Sequence, residues 1–318
     1  MPSFSGAVEN DIPLPGLRLD RYIAEYLKIL SRSQIKARRL EARLNGKAVK
    51  ISRLLRGGEL LELNWSEADN PFLIPQNLPL DLIYEDKRVI VVNKAQGMVV
   101  HPGAGNPQGT LANALLYRRL EKSGLVNGSG IPLADEWERV SGAAGLRPGI
   151  VHRLDKDTSG VIIAAWDDEA LAFLSEQFRA RKVRKTYAAL VRGCPRETQG
   201  RIEKRIVRSR KDRKIFTVSD TEGRTALTCF KVVRSMGNYS LLLLHPKTGR
   251  THQIRVHLKY LGNPILGDPL YGQEDPRFRA ASLMLHAKTL SLVLPDQEEP
   301  KTFTTPLPER FRKFIKEQ

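Results

Sequence analysis

Apolar and polar positions alternate along this chain in two distinct ways. Short apolar runs bounded by turn residues, at residues 89–92, 161–165 and 241–245, are typical of strands, and the first two are rich in β-branched residues. Apolar residues three or four apart predict helices over residues 110–121 and 169–179. The same spacing predicts a third helix that begins at the N-cap Thr251 and is closed by Gly262. The chain is therefore expected to mix helices and strands.

The pattern also predicts how the chain divides into domains. Residues 1–16 contain acidic residues and prolines, and we expect a flexible lead-in there. Residues 17–65 predict a small N-terminal domain. Residues 66–79 are polar, rich in proline and without periodicity, which is typical of a linker. Residues 80–318 are then left for the main domain.

Three local signals describe the small domain. At the start of the domain, apolar residues at helical spacing predict a first helix: Leu19, Ile23 and Leu30. The string SRSQ (residues 31–34) matches a capping box and predicts a second helix through about residue 42. Asn45-Gly46 predicts a hairpin turn, and residues 59–63 predict the closing strand. We therefore expect a small α/β unit.

Basic residues are concentrated in two stretches of the chain. Residues 28–56 contain ten basic residues and one acid, and residues 179–214 contain fifteen and three. Together with a formal net charge of +17, this imbalance implies a polyanionic partner, either nucleic acid or an acidic membrane surface. On the predicted second helix, basic side chains at three- or four-residue spacing share one face: Arg32, Lys36, Arg39 and Arg43.

Two interpretations of this basic face are open. It could be an ordinary solvated helix face, as most charge runs are. However, like charges at this spacing destabilise a helix unless an anion neutralises them. The near absence of acidic residues therefore favours binding to a polyanion such as RNA by these four side chains and by Lys47.

Several other classes of protein do not fit the composition. No apolar run approaches the roughly 20 residues that a membrane span needs, and residues 1–16 lack the apolar core of a signal peptide. The two cysteines, Cys194 and Cys229, can form neither a disulfide framework nor a four-ligand zinc site. We therefore expect a cytoplasmic protein with no membrane partner and no metal.

The most informative stretch lies between residues 149 and 165, where two apolar runs bracket a polar loop. Asp157 precedes Thr-Ser-Gly, so its side chain can stabilise a turn. Asp155 has no such local role, and Arg153 and Lys156 on either side would keep it ionised. From the residues alone, Asp155 is more readily explained as a surface carboxylate than as a catalyst.

The loop sequence HRLDKDTSG (residues 152–160) resembles the signature of the RluA-type family of RNA pseudouridine synthases. Other strings similar to family motifs occur in the family's order: NKAQGMVVHPG (93–103) before it, then RKTYAALVRG (184–193), TGRTHQIRVHL (248–258) and LMLHA (283–287). Ala95 departs from the pattern, because a proline usually follows the lysine of the first string. This resemblance extends over residues 80–295.

The resemblance implies a fold as well. An α+β architecture is expected, with a central mixed, largely antiparallel sheet, flanking helices and a cleft across the sheet. The N-terminal strings LDRYIAEYL, SRSQIK and LNGKAV are similar to the small α/β RNA-binding domain first known from ribosomal protein S-four. A basic module of this kind joined to the catalytic domain resembles the ribosomal branch of the family, so large-subunit (23S) ribosomal RNA is the expected substrate.

The resemblance also implies roles for individual residues. Asp155 matches the family's catalytic aspartate, and Arg255 matches the arginine that pairs with it. Tyr187 matches the tyrosine that stacks on the flipped base, and Arg153 matches the residue that fills the gap left by the flipped nucleotide. The reaction is an isomerisation, so no redox cofactor is expected. Whether Asp155 attacks the sugar or removes a sugar proton is open.

Alternatives to this interpretation also remain open. The chain could be a transfer-RNA synthase of the same family, or a non-catalytic RNA-binding factor for ribosome assembly that retains the scaffold. We expect a monomer. Residues 123–149 carry scattered glycines without a sustained period, and we expect a long insertion there.

Overall fold

The computed structural model describes residues 2–9, 16–30, 35, 38–66, 73–103, 105–126, 149–212, 214–272, 275–278 and 281–318. The chain folds as two compact units, residues 1–72 and residues 73–318. Most of the insertion expected at residues 123–149 lies outside the described residues. Within the described ranges, every helix is too short or too polar to span a bilayer.

The N-terminal unit is built on a four-stranded antiparallel sheet. Its strands are β1 (Ser3–Ala7), β2 (Glu41–Leu44), β3 (Lys47–Val49) and β4 (Leu60–Asn64), in the order β1-β4-β2-β3. A short helix, α1 (Leu19–Arg21), continues into the π-helical turn Tyr22–Tyr26. Alternate residues of the strands pack with the helical segment into one core, which includes Leu19, Ile23, Leu44, Leu61 and Leu63.

Two of the predictions for this unit are wrong. The expected flexible lead-in contains β1, which pairs with β4 from Ser3↔Asn64 to Ala7↔Leu60, and Phe4 packs against the core. The second helix does not reach residue 42, because the chain is already extended in β2 from Glu41. The predicted turn explains the extended chain: Asn45 (φ 48°) and Gly46 (φ 76°) close a tight β2–β3 hairpin.

The described residues of the second unit form an eleven-stranded mixed sheet. Its strands are β5 (Leu82–Glu85), β6 (Val89–Lys94), β7 (Gly149–Ile150), β8 (Ser159–Ala165), β9 (Arg184–Arg192), β10 (Gln199–Arg208), β11 (Phe216–Ser219), β12 (Arg224–Met236), β13 (Tyr239–Pro246), β14 (Leu285–Val293) and β15 (Pro300–Thr304). The order is β11-β10-β12-β13-β9-β14-β8-β6-β5, with β15 beside β14 and β7 beside β8. Of the pairings described, β8–β14 is parallel and the others are antiparallel.

Helices cover this sheet, and they explain its continuous apolar strands. They are α2 (Leu111–Lys122), α3 (Asp168–Arg179), α4 (Gln253–Tyr260) and α5 (Glu309–Lys316). On β6, Val89 and Val91 belong to the core cluster that includes α3, whereas Ile90 and Val92 belong to the cluster that includes α2. Because both faces of the strand are buried, no polar residue interrupts the run. The α+β prediction, with a largely antiparallel sheet, is confirmed.

The helix predicted after Thr251 is present but begins later. Residue 252 is its N-cap, and His252 adopts the left-handed conformation with no side-chain cap, so the prediction of Thr251 as the cap is wrong. At this end of the helix, Oε1 of Gln253 instead accepts hydrogen bonds from the hydroxyl of Thr248 and the backbone N–H of Arg250. At the other end, Gly262 has φ 85°, a backbone conformation that a glycine adopts without strain.

Candidate active site

A cleft of about 460 Å³ opens beside the loop between β7 and β8. Its other walls are the end of α3, the start of β9 and the loop that joins β13 to α4. Four residues predicted from the sequence line it together: Arg153, Asp155, Tyr187 and Arg255. Asp155 and Arg255 are 100 positions apart in the sequence, and the fold of the sheet brings them together.

Asp155 and Arg255 form an ion pair in this cleft. The Nη1 of Arg255 lies 3.3 Å from Oδ2 of Asp155. The Asp155 side chain is 21% exposed, whereas that of Arg255 is only 6% exposed. A carboxylate at the wall of a cleft, paired with a buried guanidinium, keeps its orientation when substrate displaces water.

A second carboxylate, Asp268, stands behind Arg255. It accepts hydrogen bonds from Nε at 2.8 Å and Nη2 at 2.7 Å, a two-pronged contact on a fully buried side chain. Burial acts to lower the pKa of Arg255, but the hydrogen bonds and negative charge of Asp268, together with Asp155, outweigh it and raise that pKa. Asp268 thus fixes the guanidinium plane and leaves Nη1 for Asp155.

Sequence reasoning missed Asp268. The sequence marks Asp268 only as a turn residue. Asp268 follows Gly267, which has φ 71°, and its Oδ1 also accepts hydrogen bonds from the backbone N–H groups of Leu270 and Tyr271. A glycine-aspartate pair of this kind marks a tight turn, but nothing in the turn pattern reveals that the carboxylate also faces an arginine 13 residues earlier.

Tyr187 lies on β9, where its backbone pairs with Leu244 on one side and Ala287 on the other. Burial raises the pKa of its phenol, and the negative charge of Asp155 raises it further. The hydroxyl therefore keeps its proton over the physiological range of pH. A neutral phenol on a flat ring beside a carboxylate can stack on a base and donate one hydrogen bond.

His252 also faces the carboxylate, and sequence reasoning did not select it. Its Nε2 lies 3.9 Å from Oδ2 of Asp155. On the other side of the ring, Nδ1 is 2.8 Å from the hydroxyl of Tyr271. This histidine and Arg255 thus approach the same oxygen of Asp155 from α4 and its N-cap.

The histidine of the HRLD string has a different, structural role. His152 stacks on Phe178, with ring centroids 4.6 Å apart, and its Nε2 accepts the backbone N–H of Ile163 at 3.2 Å. Burial lowers its pKa to about 3, and nearby Lys185 contributes to the shift. The ring is therefore neutral, and its hydrogen bond joins the loop between β7 and β8 to β8 itself.

Lys94 also holds the loop between β7 and β8, and the sequence alone did not identify it as a site residue. Its ammonium group donates to three carbonyl oxygens: Ala95 at 2.9 Å, Met98 at 2.7 Å and Lys156 at 3.1 Å. Burial lowers the pKa of this amine to about 8, although the charges of Asp157 and Asp155 oppose the shift. Lys94 therefore ties the turn after β6 to the residue that follows Asp155.

The rim of the cleft is strongly basic. Arg153 is exposed and lines the opening. Other cationic side chains of the lining are Arg179, Arg181, Lys185, Lys247 and Arg250. Within the described residues, no group of histidine, cysteine, aspartate and glutamate side chains could hold a metal ion. Phosphate groups are the natural complement of this rim.

The basic residues predicted on the small unit do not share one helical face. Arg32 and Lys36 lie outside the described residues. Arg39 has φ 47° after the predicted helix, Arg43 lies on β2, and Lys47 lies on β3. The prediction of one shared helical face is wrong for Arg43, because the extended chain of β2 begins at Glu41. Arg39, Arg43 and Lys47 are nevertheless exposed.

Comparisons with known proteins bear on this site. Residues 88–260 match the family model for RNA pseudouridylate synthases. The chain is 41% identical over 305 residues to ribosomal large subunit pseudouridine synthase D of Borreliella burgdorferi, covering 94% of this chain and 89% of that protein. It is 37% identical over 314 residues to the protein of the same name from Xanthomonas campestris, covering 94% and 88%.

Solved structures give a consistent result. Human RNA pseudouridylate synthase domain containing 4 is similar with a TM-score of 0.57 and 27% identity, covering 74% of this chain and 92% of that one. Human RNA pseudouridylate synthase domain containing 1 gives a TM-score of 0.55 and 28% identity, covering 73% and 84%. The matched family region contains Asp155, Tyr187 and Arg255.

Proposed function

The chain belongs to the RNA pseudouridylate synthase family, and we propose that it converts specific uridines of large-subunit ribosomal RNA to pseudouridine with Asp155 as its catalytic carboxylate. The observation that carries the assignment is the Asp155–Arg255 pair in a basic cleft, with Asp268 buried behind it. This arrangement pairs one carboxylate with a cation and orients it where a nucleotide can reach it.

The reaction exchanges one bond for another. The bond from the uracil ring nitrogen to the sugar breaks, the base turns, and ring carbon 5 bonds to the same sugar carbon. Carbon 5 loses its proton and the ring nitrogen gains one, so atoms and electrons balance without a redox partner. Asp155 supports either of two routes, attack on the anomeric carbon or removal of a sugar proton. Arg255 orients the carboxylate in both.

We assign Tyr187 to the base. Its ring forms part of the cleft wall beside Asp155, and its raised pKa keeps the hydroxyl protonated. A flipped uracil can stack on this ring while the hydroxyl lies near carbon 5. A uridine within a helix must leave the stack to reach the cleft, and exposed Arg153 at the rim is suited to occupy the space that it leaves.

The preference for ribosomal RNA forms part of the proposal. It is supported by two relatives that match this chain over nearly its whole length, both named ribosomal large subunit pseudouridine synthase D. Exposed Arg39, Arg43 and Lys47 would add phosphate contacts from the N-terminal unit. We further propose that the protein acts as a monomer in the cytoplasm, where ribosomal RNA is available to it.

The proposal is tested with purified protein and two unmodified transcripts, large-subunit ribosomal RNA and a pool of transfer RNA. We expect pseudouridine at one or a few positions of the ribosomal transcript. Formation in transfer RNA alone would favour a transfer-RNA synthase. Tight binding to ribosomal RNA without any pseudouridine would instead favour a non-catalytic assembly factor.

A further inference from the structure

His252 adopts an uncommon backbone conformation. Its φ of 55° and ψ of 19° lie in the left-handed region, which costs energy for a residue with a Cβ, although asparagine, aspartate and histidine adopt it more often than other such residues. The ring faces the catalytic cleft. Strained residues that persist at such places are held there by their surroundings and often serve a function.

The surroundings of His252 do hold it. The side-chain oxygen of Gln253 accepts from Thr248 Oγ1 at 2.7 Å and from the backbone N–H of Arg250 at 3.0 Å. Its Nε2 donates to the carbonyl of Leu227 at 3.0 Å and to Thr228 Oγ1 at 2.9 Å. Gln253 is buried, so these four bonds fix the loop that precedes α4 and the position of His252 within it.

Tyr271 contacts one of the two ring nitrogens of His252. The phenol oxygen accepts the backbone N–H of Phe216 at 2.9 Å and lies 2.8 Å from Nδ1 of His252. Burial raises the pKa of Tyr271, so the phenol keeps its proton. Nδ1 of His252 lies within reach as the acceptor of that proton. A neutral imidazole then carries its own proton on Nε2, the atom 3.9 Å from Asp155.

The ring is neutral at physiological pH because burial lowers the pKa of His252. The charged groups that face it act in both directions. Asp155 and Asp268 raise the pKa, whereas Arg255 and Arg153 lower it. Phe216, on β11, meets the ring edge to face and carries no charge.

We propose that His252 is a positioning residue for Asp155. As the Nε2–H tautomer set by Tyr271, it donates to Oδ2 beside Arg255, so that both donors occupy one oxygen and Oδ1 is left to act on the sugar. The inference rests on the proposed catalytic role of Asp155. The separation of 3.9 Å shortens to a hydrogen bond when RNA fills the cleft, as catalytic contacts often do on binding.

The arrangement is tested first in the free protein, without RNA. Long-range proton–nitrogen NMR of the ring should show the Nε2–H tautomer in the wild type and a mixture of tautomers in Tyr271→Phe. Asp155→Asn should lower the pKa of His252, because the negative charge of Asp155 raises it. Asp157→Asn is the matched control and should leave that pKa unchanged. An Nδ1–H ring in the wild type, or equal effects of both aspartate variants, would overturn the assignment.

The second test measures the single-turnover rate on a stem-loop RNA with enzyme in excess. His252→Asn and His252→Gly suit the left-handed backbone conformation but place no N–H at the position of Nε2: the asparagine amide is too short to reach it, and glycine has no side chain. We expect rates lower by up to about 100-fold, since displacement of a reactive group by about 1 Å can cost that much. His252→Gln places an amide N–H near the original Nε2 and should recover much of the rate. Affinity for RNA should stay within about twofold in all three.

Two results would contradict the proposal. Equal rates in the Asn, Gly and Gln variants would mean that the donor is irrelevant. A loss confined to RNA affinity, with a normal rate at saturation, would mean that His252 contacts RNA rather than Asp155. If the wild type formed no pseudouridine at all, the proposed function would fail, whereas the NMR measurements would still decide how His252 and Asp155 are arranged.

Discussion

At the scale of single residues, Arg255 is shared by two carboxylates of different exposure. Asp268 is fully buried and takes Nε and Nη2, while partly exposed Asp155 takes Nη1. The planar guanidinium group has several N–H donors in a fixed geometry, so it can bind both carboxylates at once. A lysine ammonium group is a single point charge and could not orient both. The buried carboxylate therefore orients the cation, and the cation orients the carboxylate that faces the cleft.

Replacement of Arg255 with leucine should affect both stability and catalysis. It leaves Asp268 buried without its cation, which costs roughly 3–5 kcal/mol in the free energy of unfolding. It also removes the partner of Asp155, so the turnover rate should fall by orders of magnitude. Denaturant unfolding and a single-turnover assay measure the two effects.

Arg118→Leu is the matched control. Arg118 pairs with partly buried Glu85, Nη2 to Oε2 at 2.5 Å, on the far strand of the sheet and outside the cleft. We expect it to lower stability without lowering the rate of the folded enzyme. Normal turnover in Arg255→Leu would contradict the pairing with Asp155.

At the scale of elements, the parallel contact between β8 and β14 lies directly after the loop that carries Asp155. It depends on Gly160, which has φ 119° and whose Cβ, if present, would overlap the carbonyl oxygen of Ala287. Close approach of two backbones is a usual reason for glycine within a strand. The contact fixes where β8 begins, and so where Asp155 stands.

Gly160→Ala should therefore be strongly destabilising. Gly237→Ala is the matched control: Gly237 has φ 55° but open space around the Cβ position. The control should cost about 1–2 kcal/mol from backbone strain alone. Gly160→Ala should cost clearly more and should also slow turnover, because the two strands must separate. Thermal unfolding and rate measurements compare the pair, and equal losses of stability would refute the close contact.

The elements also indicate what the sequence can and cannot predict. The runs that became β6, β8 and β13 were predictable because burial on both faces leaves an uninterrupted apolar pattern. The end of the second helix was not predictable, because the hairpin at Asn45-Gly46 requires an extended chain from Glu41. A local preference for helix is overridden where a hairpin turn fixes the pairing register of the strands on either side.

The candidate site was predictable only in part. Asp155 and Arg255 lie 100 residues apart, and only a family resemblance could link them. Lys94, His252 and Asp268 were missed for a common reason: each acts through a contact made by the tertiary fold. No spacing rule in the sequence encodes those contacts.

At the scale of the whole molecule, buried neutral histidines should make stability depend on pH. Burial lowers the pKa of His257 and His286 to about 4 and that of His152 to about 3, whereas an unfolded histidine titrates near 6.5. Between pH 6.5 and 4 the unfolded chain binds protons that the folded chain does not. Stability is therefore lost as the pH falls through this window.

Each such histidine should contribute up to about 1.4 kcal/mol per pH unit to the slope. His257→Gln and His286→Gln should each flatten the dependence by about that amount, whatever they do to absolute stability. Urea unfolding between pH 4.5 and 6.5 measures the slope. Slopes equal to the wild type in both variants would contradict the burial of these rings in neutral form.

The N-terminal unit should govern substrate choice under the proposed function. A protein limited to residues 73–318 should fold, because that unit has its own cores. Its RNA affinity should fall and should depend less steeply on salt, since phosphate contacts are lost. Its preference for ribosomal over transfer RNA should also fall. A full-length Arg43→Ala, Lys47→Ala variant controls for charge with the unit present; an unchanged salt slope in both would argue against an RNA-binding role.

The most direct test of the central claim is a map of pseudouridine in total RNA from cells that lack the gene and are supplied with wild-type protein, Asp155→Asn or Asp157→Asn. Asp155→Asn removes the charge at nearly constant shape, whereas asparagine is a good turn residue at position 157. We expect wild type and Asp157→Asn to restore the same positions in large-subunit ribosomal RNA, and Asp155→Asn to restore none while it accumulates normally. Restoration by Asp155→Asn, or an unchanged map when the gene is absent, would contradict the account.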